Sequence, residues 1–197
     1  MPFQFEPLDL AGAVLVTPKA FADGRGFFME TYKHSEFGAA GIDEPFVQEN
    51  LSQSARGVLR GLHFQTGPHA QGKLVYALAG EIYDVFVDIR SDSPAFGQWR
   101  GVTLSAESRQ MLYVPPWCAH GFCVLSDEAQ VAYKVTREYA PDAEGGLLWN
   151  DPEVGIEWPV REPVLAARDE AWPSLAELRR KLSENTGRTR AGEATRA

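Results

Sequence analysis

The chain reads as a mainly β protein, a sandwich or barrel of antiparallel strands. Short runs rich in Val, Ile, Tyr and Phe recur between Ala13 and Arg137, turn residues separate them at near-regular spacing, and helical periodicity is almost absent before residue 174. The 197 residues can bury a sizeable core. One domain is expected over residues 1–185. The tail from Thr186 to Ala197 has no large apolar residue and is expected to be disordered.

In chain order, Ala13 to Val16 forms a strand ended by Pro18, and the turn Asp23-Gly24-Arg25-Gly26 leads into a strand from Phe27 to Tyr32. Alternation there places Phe28 and Glu30 on one face. A short helix follows from Ser35 to Ala40, capped by Ser35 and closed by Gly41. Phe46 to Ser52 is strand-like but carries amide and acid groups, which fits either an edge strand facing water or the lining of a polar pocket.

Leu59 to Gln65 is a strand with Leu62 and Phe64 on one face and His63 and Gln65 on the other. Lys73 to Arg90 predicts a hairpin turning at Ala79-Gly80-Glu81. Its second arm has a mixed face, setting Asp84, Phe86, Asp88 and Arg90 against Tyr83, Val85, Val87 and Ile89. Strands over Gln98 to Leu104 and Met111 to Val114 come next, the latter stopped by Pro115-Pro116. His120 to Leu125 and Gln130 to Arg137 are expected to pair around Ser126-Asp127-Glu128. After Tyr139 the prolines and glycines predict a wrapped loop region anchored by Trp149 and Trp158. Ser174 and Glu177 form a capping box that opens a terminal helix with Leu175, Leu178 and Leu182 as its apolar stripe.

The formal charge of -8 and the lack of any Lys/Arg-rich run argue against nucleic-acid binding, so an anionic ligand must be held by a few local cations. No basic segment followed by an apolar run opens the chain, and no stretch reaches membrane-spanning length. A cytoplasmic, soluble protein is expected. Cys118 and Cys123 are the only cysteines, and no disulfide framework follows from them.

The chemistry centres on Arg60-Gly61-Leu62-His63 and the nearby Lys73. An imidazole flanked by two cations suits proton abstraction beside a group whose developing negative charge a cation stabilises. The competing reading is a core histidine with two solvated charges on the rim. A metal is disfavoured twice. Period two sets Cys123 opposite Cys118 and His120, and Gln65 stands where a metal-binding cupin has its second histidine, with His69 off in a Gly/Pro loop. Taken locally, Tyr133 reads as a core aromatic with its hydroxyl at the rim, and Asp169 as part of a solvated polar break before Trp172.

Asp23-Gly24-Arg25-Gly26-Phe27-Phe28, Gln48-Glu49-Asn50, Arg60-Gly61-Leu62-His63, Gln71-Gly72-Lys73, Ala119-His120-Gly121-Phe122, Tyr133-Lys134 and Trp149-Asn150-Asp151-Pro152 occur in one order, and together they resemble the dTDP-4-dehydrorhamnose 3,5-epimerase family. The likeness runs from about Phe5 to Leu175. It implies a cupin-like jelly-roll barrel with short flanking helices and a C-terminal helix. It also implies a homodimer sharing N-terminal strands, no metal or other cofactor, and a dTDP-4-keto-6-deoxy sugar as substrate.

The resemblance matches His63 to the general base, Asp169 to the carboxylate that orients it, Lys73 to the cation beside the ketone oxygen and Tyr133 to the acid on the opposite face. Arg25, Glu30, Gln48, Asn50, Arg60, His120, Glu144 and Arg168 match substrate-binding positions, and Tyr139 the ring that stacks on thymine. Ala166-Ala167-Arg168, just before Asp169, departs from the pattern common among relatives. Single-carbon epimerases share the same base and acid, so one or two inversions remain open at this point, as does a sugar-nucleotide-binding cupin without catalysis.

Overall fold

The computed structural model describes residues 2–182, and its strands form two facing sheets and a small ribbon. With strands numbered in chain order, the first sheet runs β1 (Phe3–Pro7), β2 (Val14–Pro18), β10 (Met111–Val114), β7 (Lys73–Ala79), β12 (Glu128–Val135) and β5 (Gln48–Ala55). The second runs β13 (Glu144–Gly146), β6 (Leu59–Gln65), β11 (Cys118–Val124), β8 (Glu81–Asp88) and β9 (Trp99–Ser105). Every pairing in both sheets is antiparallel. The ribbon is β3 (Phe21–Asp23) with β4 (Gly26–Phe28).

From β5 to β13 the chain changes sheet at every connection except that between β8 and β9, which is the winding of a jelly roll. Two expected pairings are therefore corrected. β7 and β8 do not form a hairpin, and neither do β11 and β12. The short turn at Gly80 instead carries the chain from one sheet to the other. Gly80 sits at φ +73°, and a Cβ there would lie 2.1 Å from Glu128 O, so only glycine lets the corner close against β12.

Phe86, Leu104, Leu112, Phe122 and Val131 fill the space between the sheets. On the outer face of the second sheet, Leu62, Phe64, Val85 and Val87 are covered by the wrapped segment and by a helix over residues 175–182, through Leu147, Leu175 and Leu178. The capping box is present: the Ser174 N–H donates to Glu177 Oε2 at 3.0 Å and the Glu177 N–H to Ser174 Oγ at 3.3 Å. On the first sheet, α1 (His34–Ala39) buries Phe37 edge-on against Phe3, Phe5 and Tyr32.

The α1 cap is Lys33, with no side-chain cap bond, rather than Ser35. Burying Phe37 sets where this helix begins, ahead of any cap preference. The strand expected from Phe27 to Tyr32 ends at Phe28, so Glu30 shares no strand face with it. No helix among the described residues is long and apolar enough to cross a membrane. The tail from Thr186 lies outside the described residues.

Candidate active site

The site begins with a defect in pairing. On β6 and β11, His63 stands opposite His120 and Arg60 opposite Phe122, so three steps of one strand face two of the other. This bulge re-aims the chain and puts Arg60 and His63, an odd number of residues apart, on the same inner face. Two glycines make it possible. Gly61 has φ +138°, and a Cβ on it would lie 2.5 Å from Gly121 Cα.

Cavities of about 300 Å3 and 400 Å3 open between the sheets and share His63, Lys73, Tyr133 and Arg168, forming one cleft. His63 enters from β6, Lys73 from the start of β7, His120 from β11 and Tyr133 from β12. Asp169 arrives on α2 (Ala167–Glu170) and is 2% exposed, not part of a solvated loop.

His63 Nε2 lies 2.7 Å from Asp169 Oδ1. Asp169 also accepts from the Trp172 indole N–H and the Gly61 backbone N–H, each at 3.3 Å. Burial pushes the Asp169 carboxyl up, but the His63 hydrogen bond and charge, the Gly61 N–H and the Arg168 charge outweigh it and leave the group below its ordinary value. An ionised carboxylate only accepts, so Nε2 carries the proton and Nδ1 keeps a lone pair. Nδ1 makes no hydrogen bond among the described residues. The ring is thus held with one nitrogen free to accept a proton.

His120 is held the same way, with Nε2 3.0 Å from both oxygens of the fully buried Asp84. Burial lowers its pKa, partly opposed by Asp84, which favours the neutral imidazole. Lys73 is buried and donates to His63 O at 3.2 Å. Its ammonium is brought down to about 8 by burial, against the charges of Asp84, Cys118 and Glu144. Tyr133 titrates above its ordinary value because of burial, with Arg60 and Arg168 pulling it down and Glu144 pushing it up. Its hydroxyl has no hydrogen-bond partner among the described residues.

Around the mouth, Arg60 Nε donates to Ser54 Oγ at 3.0 Å and Gln48 Nε2 to Asn50 Oδ1 at 2.9 Å. The Tyr139 hydroxyl donates to Glu144 Oε2 at 3.1 Å, and Arg168 pairs with Glu144 at 3.3 Å. β5 resolves both readings of its polar sequence. It is an edge strand, and it turns Gln48, Asn50 and Ser52 to the cleft.

Two residues matched to the substrate site are not in the cleft. Arg25 sits in the β3–β4 ribbon with its side chain 91% exposed and paired to Asp23 at 2.6 Å, and Glu30 lies just beyond that ribbon. Asp84, Ser54 and Trp172 touch site residues but were not among the candidates. Asp84 had left a trace in the mixed face of β8. Cys118 and Cys123 are buried free thiols, and among the described residues no group of three or more His, Cys, Asp or Glu is placed to hold a metal ion.

The dTDP-4-dehydrorhamnose 3,5-epimerase family model matches residues 7–177. A dTDP-4-dehydrorhamnose 3,5-epimerase of Shigella flexneri is 51% identical over 162 residues, 82% of this chain and 90% of the relative. The chain belongs to this epimerase family. Its fold is that of the epimerase from Legionella pneumophila, solved in complex with dTDP-4-keto-L-rhamnose, with a TM-score of 0.85 and 43% identity over 89% of this chain and 96% of that one. A dTDP-4-dehydrorhamnose 3-epimerase of Streptomyces niveus is also similar, at 41% identity over 89% of this chain and 86% of the relative. Members of the epimerase family are enzymes of the isomerase class, and the cleft brings together an imidazole, a phenol and an ammonium.

Proposed function

We propose that this chain inverts C3 and C5 of dTDP-4-dehydro-6-deoxy-D-glucose to give dTDP-4-dehydro-L-rhamnose. The observation that carries this reading is the His63–Asp169 pair facing a cleft that also holds Lys73 and Tyr133. The C4 ketone acidifies the hydrogens on both neighbouring carbons. His63 Nδ1 takes one as a proton, the electron pair moves into an enolate, and the Lys73 ammonium stabilises the charge on its oxygen. The Tyr133 phenol then gives a proton to the opposite face of the same carbon. One proton leaves and one returns at each centre, so the electrons balance without a redox partner.

Arg60, Arg168 and His120 are assigned to the nucleotide sugar, with Gln48, Asn50 and Glu144 as hydrogen-bonding groups and Tyr139 as the face on which the base stacks. Arg25 and Glu30 are assigned to the site of a second copy of this chain. The β3–β4 ribbon supports this: it leaves Phe21, Phe27 and Phe28 largely exposed, Phe28 at 67%, and a homodimer would bury them while delivering Arg25 across the interface.

The similar 3-epimerase keeps a single-carbon reaction as the second reading. Incubating the enzyme with the 4-keto sugar nucleotide in deuterated water and reading C3 and C5 by NMR tests both. Deuterium at both carbons supports double inversion, at C3 alone the second reading, and at neither refutes catalysis.

A further inference from the structure

The segment leaving β12 carries Tyr139 to the mouth of the cleft, and its backbone is held by glutamine side chains from three separate places. Gln71 Nε2 donates to Arg137 O at 2.8 Å, and Gln48 Oε1 accepts from the Tyr139 N–H at 2.9 Å. Gln65, at the end of β6, donates to Glu138 O at 3.3 Å and accepts from the Ala140 N–H at 2.8 Å. It also donates to His69 O at 2.8 Å, so both its donor and its acceptor capacity are spent on backbone. Gln65 is 5% exposed, whereas Tyr139, between the two residues it grips, is 51% exposed. A buried amide therefore fixes the peptide units on either side of an exposed aromatic ring.

We propose that Gln65 is a positioning residue for nucleotide binding, holding the Tyr139 ring at the cleft mouth as a preformed platform for a nucleobase. This rests on the assignment of Tyr139 to base stacking made above. A ring on a loose segment would have to be ordered when the nucleotide arrives, and that cost falls on affinity. Gln65 bonds only backbone groups and bonds none of the groups assigned to proton transfer. Its loss is therefore read in binding and not in the chemical step.

The test is calorimetric titration with dTDP together with steady-state kinetics on Gln65→Met, Gln65→Glu, Tyr139→Ala and the Gln65→Met/Tyr139→Ala double variant. Gln65→Met keeps the bulk and loses every bond; Gln65→Glu keeps an acceptor for the Ala140 N–H, loses both donors, and decides the matter if the Met variant does not fold. Tyr139→Ala should weaken dTDP binding about tenfold, the usual scale for one stacked base. Each Gln65 variant should weaken it roughly fivefold and raise KM by the same factor, with kcat within about twofold of the parent. In the double variant Gln65→Met should add nothing to the loss from Tyr139→Ala. Unchanged dTDP affinity in a folded Gln65 variant, or losses that multiply in the double variant, would overturn the proposal. If Tyr139→Ala itself binds dTDP like the parent, the stacking assignment fails and the proposal with it.

Discussion

His63 and His120 stand opposite each other on neighbouring antiparallel strands, and each has its Nε2 held by a buried aspartate, Asp169 at 2.7 Å and Asp84 at 3.0 Å. The two rings share one tautomer for one reason: a carboxylate fixes the proton on Nε2. They differ in setting. The His63 side chain is 21% exposed, while that of His120 is 7% exposed and kept neutral by burial.

Asp169→Asn replaces an acceptor with an amide that can also donate. The amide would allow the proton to move to Nδ1, removing the lone pair that takes the substrate proton. Turnover should fall by roughly a hundredfold or more, with KM little changed. Steady-state kinetics check this, and a variant that keeps parental kcat would show that the pair does not set the tautomer.

Lys73 makes opposite demands on rate and stability. Burial brings its ammonium down to about 8, below its ordinary value near 10.5. The sign follows from proton counting. Between those two values the unfolded chain binds more protons than the folded one, so stability from this group rises as pH rises from about 8 and is lost again as pH falls back. Lys73→Met removes that penalty. At pH 7 the variant should melt roughly a few degrees higher than the parent yet turn over on the order of a hundredfold more slowly. Thermal unfolding and kinetics on the same preparation decide it. In the parent, activity should decline as pH rises through about 8, where the ammonium deprotonates.

Tyr133→Phe removes the proposed acid and leaves the proposed base. Proton abstraction should continue, so solvent deuterium still enters the substrate, while inverted product falls by about a hundredfold. NMR of substrate and product pools separates the two. Equal loss of exchange and inversion would place Tyr133 in the abstraction step.

The proposed homodimer, with the Arg25 ribbon reaching a second copy, predicts complementation. Arg25→Ala and His63→Ala subunits, each inactive alone, should regain about one quarter of parental activity when mixed and re-associated, because half the dimers then hold one intact site. No recovery would show that Arg25 does not complete the site of a second copy.

Much of this was legible in the chain because period two is a local property. Alternation sends Leu62 and Phe64 into the outer apolar cluster and His63 to the cleft, as β6 shows, although Phe64 also borders the cleft. What alternation alone does not supply depends on residues far away. Arg60 joins His63 on the inner face only because Gly121, on a strand some sixty positions later, lets Gly61 bulge against it. The turns at Gly80 and Ser126 look locally like hairpin turns. They become corners because the faces of β8 and β11 pack on the opposite sheet. Asp169 carries no local signal at all; its burial comes from docking under Gly61 and beside Trp172, 108 positions from the former. Its match rested on resemblance alone.

Deuterium incorporation by His63→Ala, followed by NMR at C3 and C5 of the 4-keto sugar nucleotide, bears most directly on the central claim that one oriented imidazole removes the substrate protons. The parent should incorporate deuterium at both carbons and the variant at neither. Incorporation by His63→Ala at the parental rate would contradict it.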